Sequence, residues 1–317
     1  MLILKCFPVT IQVYGTVVDK FFHRRLLKRS KPRFNYNNFG QVRMMPQKNT
    51  SRLAFRRQEN LNSDPVVLTE GVTPAFDQVF NFDVEVELQQ YGKVVALSDK
   101  VIVSVEDDTA VETADNLNQA MFGMLDKVTR DTLASTASII QAANGANGNT
   151  PTEVSQDDAE LALDYLYQND AEKMAPVIEG QNRFGTAPID EAYWVLSDVD
   201  MRKDWKALES YVPTSQYPSQ MSVLQAEVGA IDEARIVLSS QGSVDSSTSP
   251  ATFNNFFVAS GFYAHSGIDE VAAEMIIKQL GQGDDALNQR QTMGFKAFFG
   301  ALILDDNFGV NLQTTLA

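Results

Sequence analysis

From Val79 to Leu88 (VFNFDVEVEL) apolar and polar residues alternate over ten positions, and Arg52 to Arg57 (RLAFRR) keeps the same period. A period of two predicts strands with one covered face and one wet face. The alternation resumes at Val94–Leu97, just after Tyr91-Gly92. Between the first two runs, Leu61–Pro74 is punctuated by Pro and Gly, so they are expected to form the arms of a long hairpin. An arm of ~15 residues would reach roughly 50 Å, more than one small domain covers. The hairpin is therefore expected to project.

The period then changes. Val111, Ala114, Leu117, Met121, Met124, Leu125 and Val128 recur at intervals of three and four, which predicts one helix from Glu106 to about Gln141. Asp107 and Asp108 would sit in its first turn, and Gly145 to Pro151 would end it. Upstream, Val18, Phe21, Phe22 and Leu26 have helical spacing up to Pro32, and Phe34–Phe39 predicts an extended connector closed by Gly40. Downstream, Ser155–Asp158 has capping-box spacing ahead of Leu161, Leu163, Leu166 and Tyr167. Tyr193–Leu196 predicts a short apolar strand followed by a helix starting near Ser197 or Asp198, and Ala234–Leu238 and Phe256–Tyr263 predict further strands. Ser239–Pro250 is Ser/Gly-rich and predicts a surface loop, while the apolar run Arg290–Leu304 is expected to return to the body. The fold class predicted is α+β.

Composition adds few constraints. With 317 residues, 44% hydrophobic and 21% charged, the chain can build one large core or two modest ones. Its one cysteine, Cys6, allows no intrachain disulfide and fits a reducing compartment. Met1–Val18 is apolar but broken by Lys5, Pro8, Thr10 and Gln12, so it reads as a retained, ordered segment held by something other than the core, not as a signal peptide. No window supplies the ~20 apolar residues of a membrane helix, so a soluble chain without a membrane partner is expected.

Charge changes the picture more. Residues 1–60 hold 13 Lys/Arg against Asp19 and Glu59, a balance of +11, while the remainder carries −26. A solvated basic helix face and a nucleic-acid-binding tail each explain the front alone. A basic front that binds the acidic remainder of a neighbouring copy explains both halves together.

Groups for catalysis are scarce. His23 and His265 have no Cys, His or carboxylate at metal-ligand spacing, and His265 reads as a core histidine. Cys6 has no activating base nearby. Phosphate-loop and zinc-protease motifs are missing, and Gly281-Gln-Gly283 is followed by Asp284-Asp285, which would repel a phosphate. The adjacent carboxylates Asp107-Asp108, Asp157-Asp158 and Asp305-Asp306 could hold a hard cation, but helix capping explains two of the pairs. No catalytic, cofactor-binding or metal residue is expected, and no enzyme activity.

Several stretches, taken in order, resemble major capsid proteins of tailed bacteriophages, in the branch typified by short-tailed N-four-like phages. They are Leu27-Lys-Arg-Ser-Lys-Pro32, Asn38-Phe-Gly40 through Pro46, Lys48 and Asn49, Phe55-Arg-Arg57, Leu68–Pro74, Gln90-Tyr-Gly92 with Leu97-Ser-Asp99, and Gly283 through Leu287-Asn-Gln-Arg290 to Lys296. The resemblance implies the Hong Kong 97-type fold. On that scheme 1–40 is an N-terminal arm, 41–100 an extended β-hairpin loop with flanking peripheral-domain strands, and 101–150 the peripheral domain with its spine helix. Residues 151–280 would be the axial domain and 281–317 the return to the peripheral domain. It further implies hexamers and pentamers of an icosahedral head around double-stranded DNA held without sequence-specific contact. A portal and separate scaffolding or decoration proteins would be its partners, and assembly would take place in the host bacterial cytoplasm. No cofactor is implied. The residues expected to pair with neighbouring subunits are Lys20, Arg24, Arg25, Lys28, Arg29, Lys31 and Arg33 of the arm, with Arg52, Arg56 and Arg57 of the loop. Residues 1–18 match nothing in that scheme. A nucleic-acid-binding protein using residues 20–57 and an encapsulin-like compartment shell are the rival readings.

Overall fold

A computed structural model describes residues 34–48, 50–59, 61, 64–68, 70–71, 73, 76–104, 109–178, 190–218, 223–224, 226–269, 273–282 and 285–316, with the backbone alone described at 103–104 and 109–110. The predicted arm helix, the segment 1–18, Cys6, His23 and Asp107-Asp108 lie outside the described residues.

In chain order the described elements are β1 Gln41–Val42, β2 Arg52–Gln58, β3 Asn81–Glu87, β4 Gln89–Ser98, α1 Asp99–Ser104, α2 Thr109–Ala134, β5 Ile139–Gln141, α3 Gln156–Gln168, β6 Tyr193–Asp198, α4 Arg202–Ala207, β7 Tyr211–Pro213, β8 Glu227–Ile231, β9 Ala234–Ser239, β10 Ser243–Asp245, β11 Thr252–Val258, β12 Tyr263–Gly267, β13 Ala273–Lys278, β14 Arg290–Ile303 and β15 Gly309–Thr314. Short 3-10 turns lie at Tyr36–Asn38, Thr214–Gln216 and Asp306–Phe308.

The strands form two sheets and a separate hairpin. One sheet is built on β14, which pairs antiparallel with β4, β13 and β12, while β1 adds to β12 in parallel. The other runs β5-β15-β11-β6-β9-β8-β7, with β10 also on β11. The predicted segments 151–280 and 281–317 each contribute to both sheets, because β12, β13 and β14 lie in the first while β6–β11 and β15 lie in the second.

The apolar runs explain the larger sheet. All six residues of β6 are buried. Tyr193 and Val195 face a core shared with Ala162, Leu163 and Leu166 of α3, while Trp194 and Leu196 face a second core with Tyr36, Phe39, Leu133 and Phe262. A strand covered on both faces needs apolar residues at every position, so it shows no period of two. Under the smaller sheet, Leu117 and Met121 of α2 pack on Leu97, Met293 and Phe295. Among the described residues no helix is long and apolar enough to cross a membrane.

Local expectations differ from what forms at five places, one of them Ser239–Pro250, where β10 pairs with β11 inside the predicted loop. The long helix ends at Ala134, and Ile139–Gln141, predicted as its last turn, is β5. Phe256–Tyr263 is not one strand, because the chain turns through Gly261 at φ +79° and passes from β11 in the larger sheet to β12 in the smaller. The helix after β6 starts at Arg202, since the strand continues through Asp198. Phe34–Phe39 is not extended but holds a 3-10 turn whose Tyr36 is fully buried.

Candidate assembly surface

Of the paired carboxylates singled out in the sequence, Asp158 and Asp306 accept from backbone N–H groups. Asp158 takes N–H groups from Ala143, Gly145 and Ser155 and the Ser155 hydroxyl, so the capping box forms and also ties down the preceding loop. Asp306 accepts from Thr136 Oγ1 and Ala137 N at 2.7 and 2.9 Å. Among the described residues no group of three His, Cys, Asp or Glu is placed to hold a metal ion. His265 is buried beside the Phe299 ring, 5.8 Å between centroids, and that burial lowers its affinity for a proton. This is a core histidine.

The hairpin is the feature that faces outward. Strands β2 and β3 pair in register from Arg52↔Glu87 to Gln58↔Asn81. On one face Phe55 and Val86, with Leu53 and Val84, pack against Ala264 and Leu302 and fix the base to the body. The other face carries charge. Arg56 donates through Nε and Nη2 to the two carboxylate oxygens of Asp83 at 2.8 and 3.0 Å, and Arg52 lies 3.7 Å from Glu87. The Arg56 guanidinium holds the Asp83 carboxyl below its usual range. Arg57 leaves the hairpin altogether, forming an ion pair with Asp305, a nearly buried residue, and lying 5.7 Å from the Phe308 ring. All three loop arginines singled out in the sequence therefore have a carboxylate of their own chain beside them. Sequence spacing gives no signal for Arg57–Asp305, which joins residues 248 positions apart.

Beyond the base the hairpin loses its cover. Val66, Val67, Leu68 and Phe76 are 69%, 92%, 70% and 90% exposed, and Leu61, Val79, Phe80 and Phe82 are each about half exposed or more. Isolated apolar side chains on a surface are ordinary, but such a concentration on one projection marks an interaction surface.

The described part of the arm begins at Phe34. Its root, residues 35–40, is strapped down by Asn35 Nδ2 donating to Leu238 O at 3.0 Å, Thr129 Oγ1 to Asn37 Oδ1 at 2.5 Å, and the Tyr263 hydroxyl to Tyr36 O. Gly40 is needed there, because a Cβ would stand 2.5 Å from the Tyr263 ring. The arm residues Lys20, Arg24, Arg25, Lys28, Arg29, Lys31 and Arg33 are outside the described residues.

No family model matches this sequence, and no curated protein matches it either. Solved structures do. The chain is similar to the capsid of cyanophage P-SCSP1u (13% identity, 94% of this chain and 93% of that one, TM-score 0.65). It is similar to the head structure of Helicobacter pylori bacteriophage KHP40 (11%, 93% and 95%, TM-score 0.68) and to the capsid of Ralstonia phage GP4 (12%, 94% and 95%, TM-score 0.64). At these identities the likeness concerns the fold, and it spans nearly the whole chain. The α+β fold is that of phage capsid proteins, the Hong Kong 97-type.

Proposed function

We propose that this chain is the major capsid protein of a tailed bacteriophage, assembling as hexamers and pentamers into an icosahedral head that encloses double-stranded DNA. The observation that carries this is the projecting hairpin, whose exposed apolar side chains a single chain cannot bury, on a capsid-protein fold. Burying one Phe on a neighbour contributes about 2–3 kcal/mol. Repeated around a closed shell, contacts of that size suffice without any strong single bond. Arg52 and Arg56 support the reading as well. Each is well over half exposed despite its partner, and a guanidinium with five N–H donors can take a second carboxylate from a neighbouring subunit. The division of charge along the sequence, +11 over residues 1–60 against −26 over the remainder, favours the same pairing for Lys20, Arg24, Arg25, Lys28, Arg29, Lys31 and Arg33. A portal and separate scaffolding or decoration proteins are the further partners, and the mature protein resides in the virion. The role is structural, not catalytic.

The test is negative-stain microscopy of the expressed chain at rising concentration, with and without neighbouring phage proteins supplied as scaffold. Uniform shells or tubes are expected. Val67→Asp with Phe76→Asp should leave the melting temperature within about 2 °C, since both residues are exposed in the single chain, and should abolish the shells. A wild-type chain that stays monomeric under all conditions, or a double variant that assembles normally, would overturn the reading.

A further inference from the structure

Asp126 sits on the face of α2 turned toward the arm root and is 1% exposed. Its Oδ1 accepts from Asn37 N at 3.2 Å, with the Tyr36 and Asn35 amides bearing on it more weakly. Its Oδ2 finds no hydrogen-bond partner among the described residues. Among the described residues the cation bearing on it is Arg130, one turn along the same helix. That guanidinium is engaged elsewhere: Nη1 donates to the Gln241 and Gly242 carbonyls, and Nε and Nη2 donate to Asp131. From the other elements packed around the root, Tyr36, Tyr263 and Asp198 contribute two hydroxyls and a further carboxylate, and none of these described groups is a counter-charge.

A carboxylate in that setting opposes the segment it touches. Its backbone donors favour the ionised form, but loss of water disfavours it, and loss of water is the larger effect. We propose that the arm root is a proton-dependent latch in which neutral Asp126 holds residues 35–40 docked and ionised Asp126 loads them for release. The apolar side of the latch is Tyr36 and Phe39 in the core, which keeps the root docked most of the time. Opening would return Asp126 to water and free the chain just after the arm to change direction.

The sign follows from the two states. Burial raises the Asp126 pKa to about 6 while the root is docked, and an undocked, solvated Asp126 would titrate near the ordinary value of about 4. The docked state therefore binds the proton more tightly, so docking is strongest in acid and weakens as pH rises through about 6. Two pKa units correspond to roughly a 100-fold change in the docking equilibrium over the full range.

Amide hydrogen exchange of the full chain, kept monomeric at low concentration and corrected for the intrinsic pH dependence of exchange, reads this directly. The opening constant at Asn35–Asn37 should rise roughly thirty-fold between about pH 4.5 and 7.5. Amides of β6 and α3, which report global unfolding, should exchange through a far smaller opening constant at every pH, showing that the root opens on its own. Asp126→Asn should remove the pH dependence and slow opening at pH 7.5. A flat wild-type profile, or an unchanged slope in Asp126→Asn, would overturn the latch. If the variant does not fold, carbon-detected titration of Asp126 in the wild-type chain decides instead: a midpoint near 4 sinks the proposal and one near 6 supports it. Because this is measured without assembly, its outcome is independent of whether the chain forms shells.

Discussion

Arg235 and Glu227 place an ion pair where no water reaches, both side chains being fully buried. The contact is two-pronged, Nε to Oε1 and Nη2 to Oε2 at 2.8 Å each, with the guanidinium 4.6 Å from the Trp194 ring. Glu227 also accepts from the Tyr217 hydroxyl and from Leu224 N, at 2.9 and 3.0 Å. Breaking one side of such a pair leaves the other charge buried, which typically costs about 3–5 kcal/mol. Glu227→Gln should lower the free energy of unfolding by about that much in urea. The paired change Glu227→Leu with Arg235→Met should recover much of it but not all, since Tyr217 and Leu224 lose an acceptor. Equal losses in the single and paired variants would show that the charges themselves matter little. Nothing in the local sequence announces this pair, because charged residues in a β-rich segment are most often solvated.

Elements were legible where one physical signal dominated. Alternation gave β2 and β3, whose outer faces are wet, and the capping box at Ser155–Asp158 gave the start of α3. The run Phe256–Tyr263 was illegible as two strands, because both are buried on both faces and only Gly261 marks the passage between sheets. The helix end at Ala134 was hidden for a related reason: Ile139 and Ile140 continue an apolar spacing but pair with β15. The candidate assembly surface was half legible. The hairpin and its arginines stood out, but their intrachain carboxylates and the root at residues 35–40 depend on contacts distant in sequence. Gly40 is the exception at that root, a residue singled out by resemblance whose need is steric. Gly40→Ala should cost about 1–3 kcal/mol in thermal or urea unfolding as Tyr263 or the root shifts. An unchanged stability would show that the root yields freely.

At the scale of the whole molecule, the hairpin points outward while the two sheets carry the core, and strands β14 and β15 supply one inner strand to each. Each lies inside its sheet, β14 between β4 and β13, and β15 between β5 and β11. A chain ending at Gln289 would lack both, and should show no cooperative melting transition and little near-ultraviolet dichroism. A sharp transition in that truncated chain would mean that one sheet closes without its centre. The consequence concerns timing during synthesis. Pairings between distant stretches of chain form slowly, and until residues 290–314 leave the ribosome neither sheet can close. The sticky hairpin is made early and its platform late. A nascent chain on a polysome thus displays the apolar residues before it has a body to present them, and crowding of such chains invites aggregation. Lower growth temperature or a slower promoter should therefore raise the soluble yield, and an unchanged yield would show that the early hairpin is harmless.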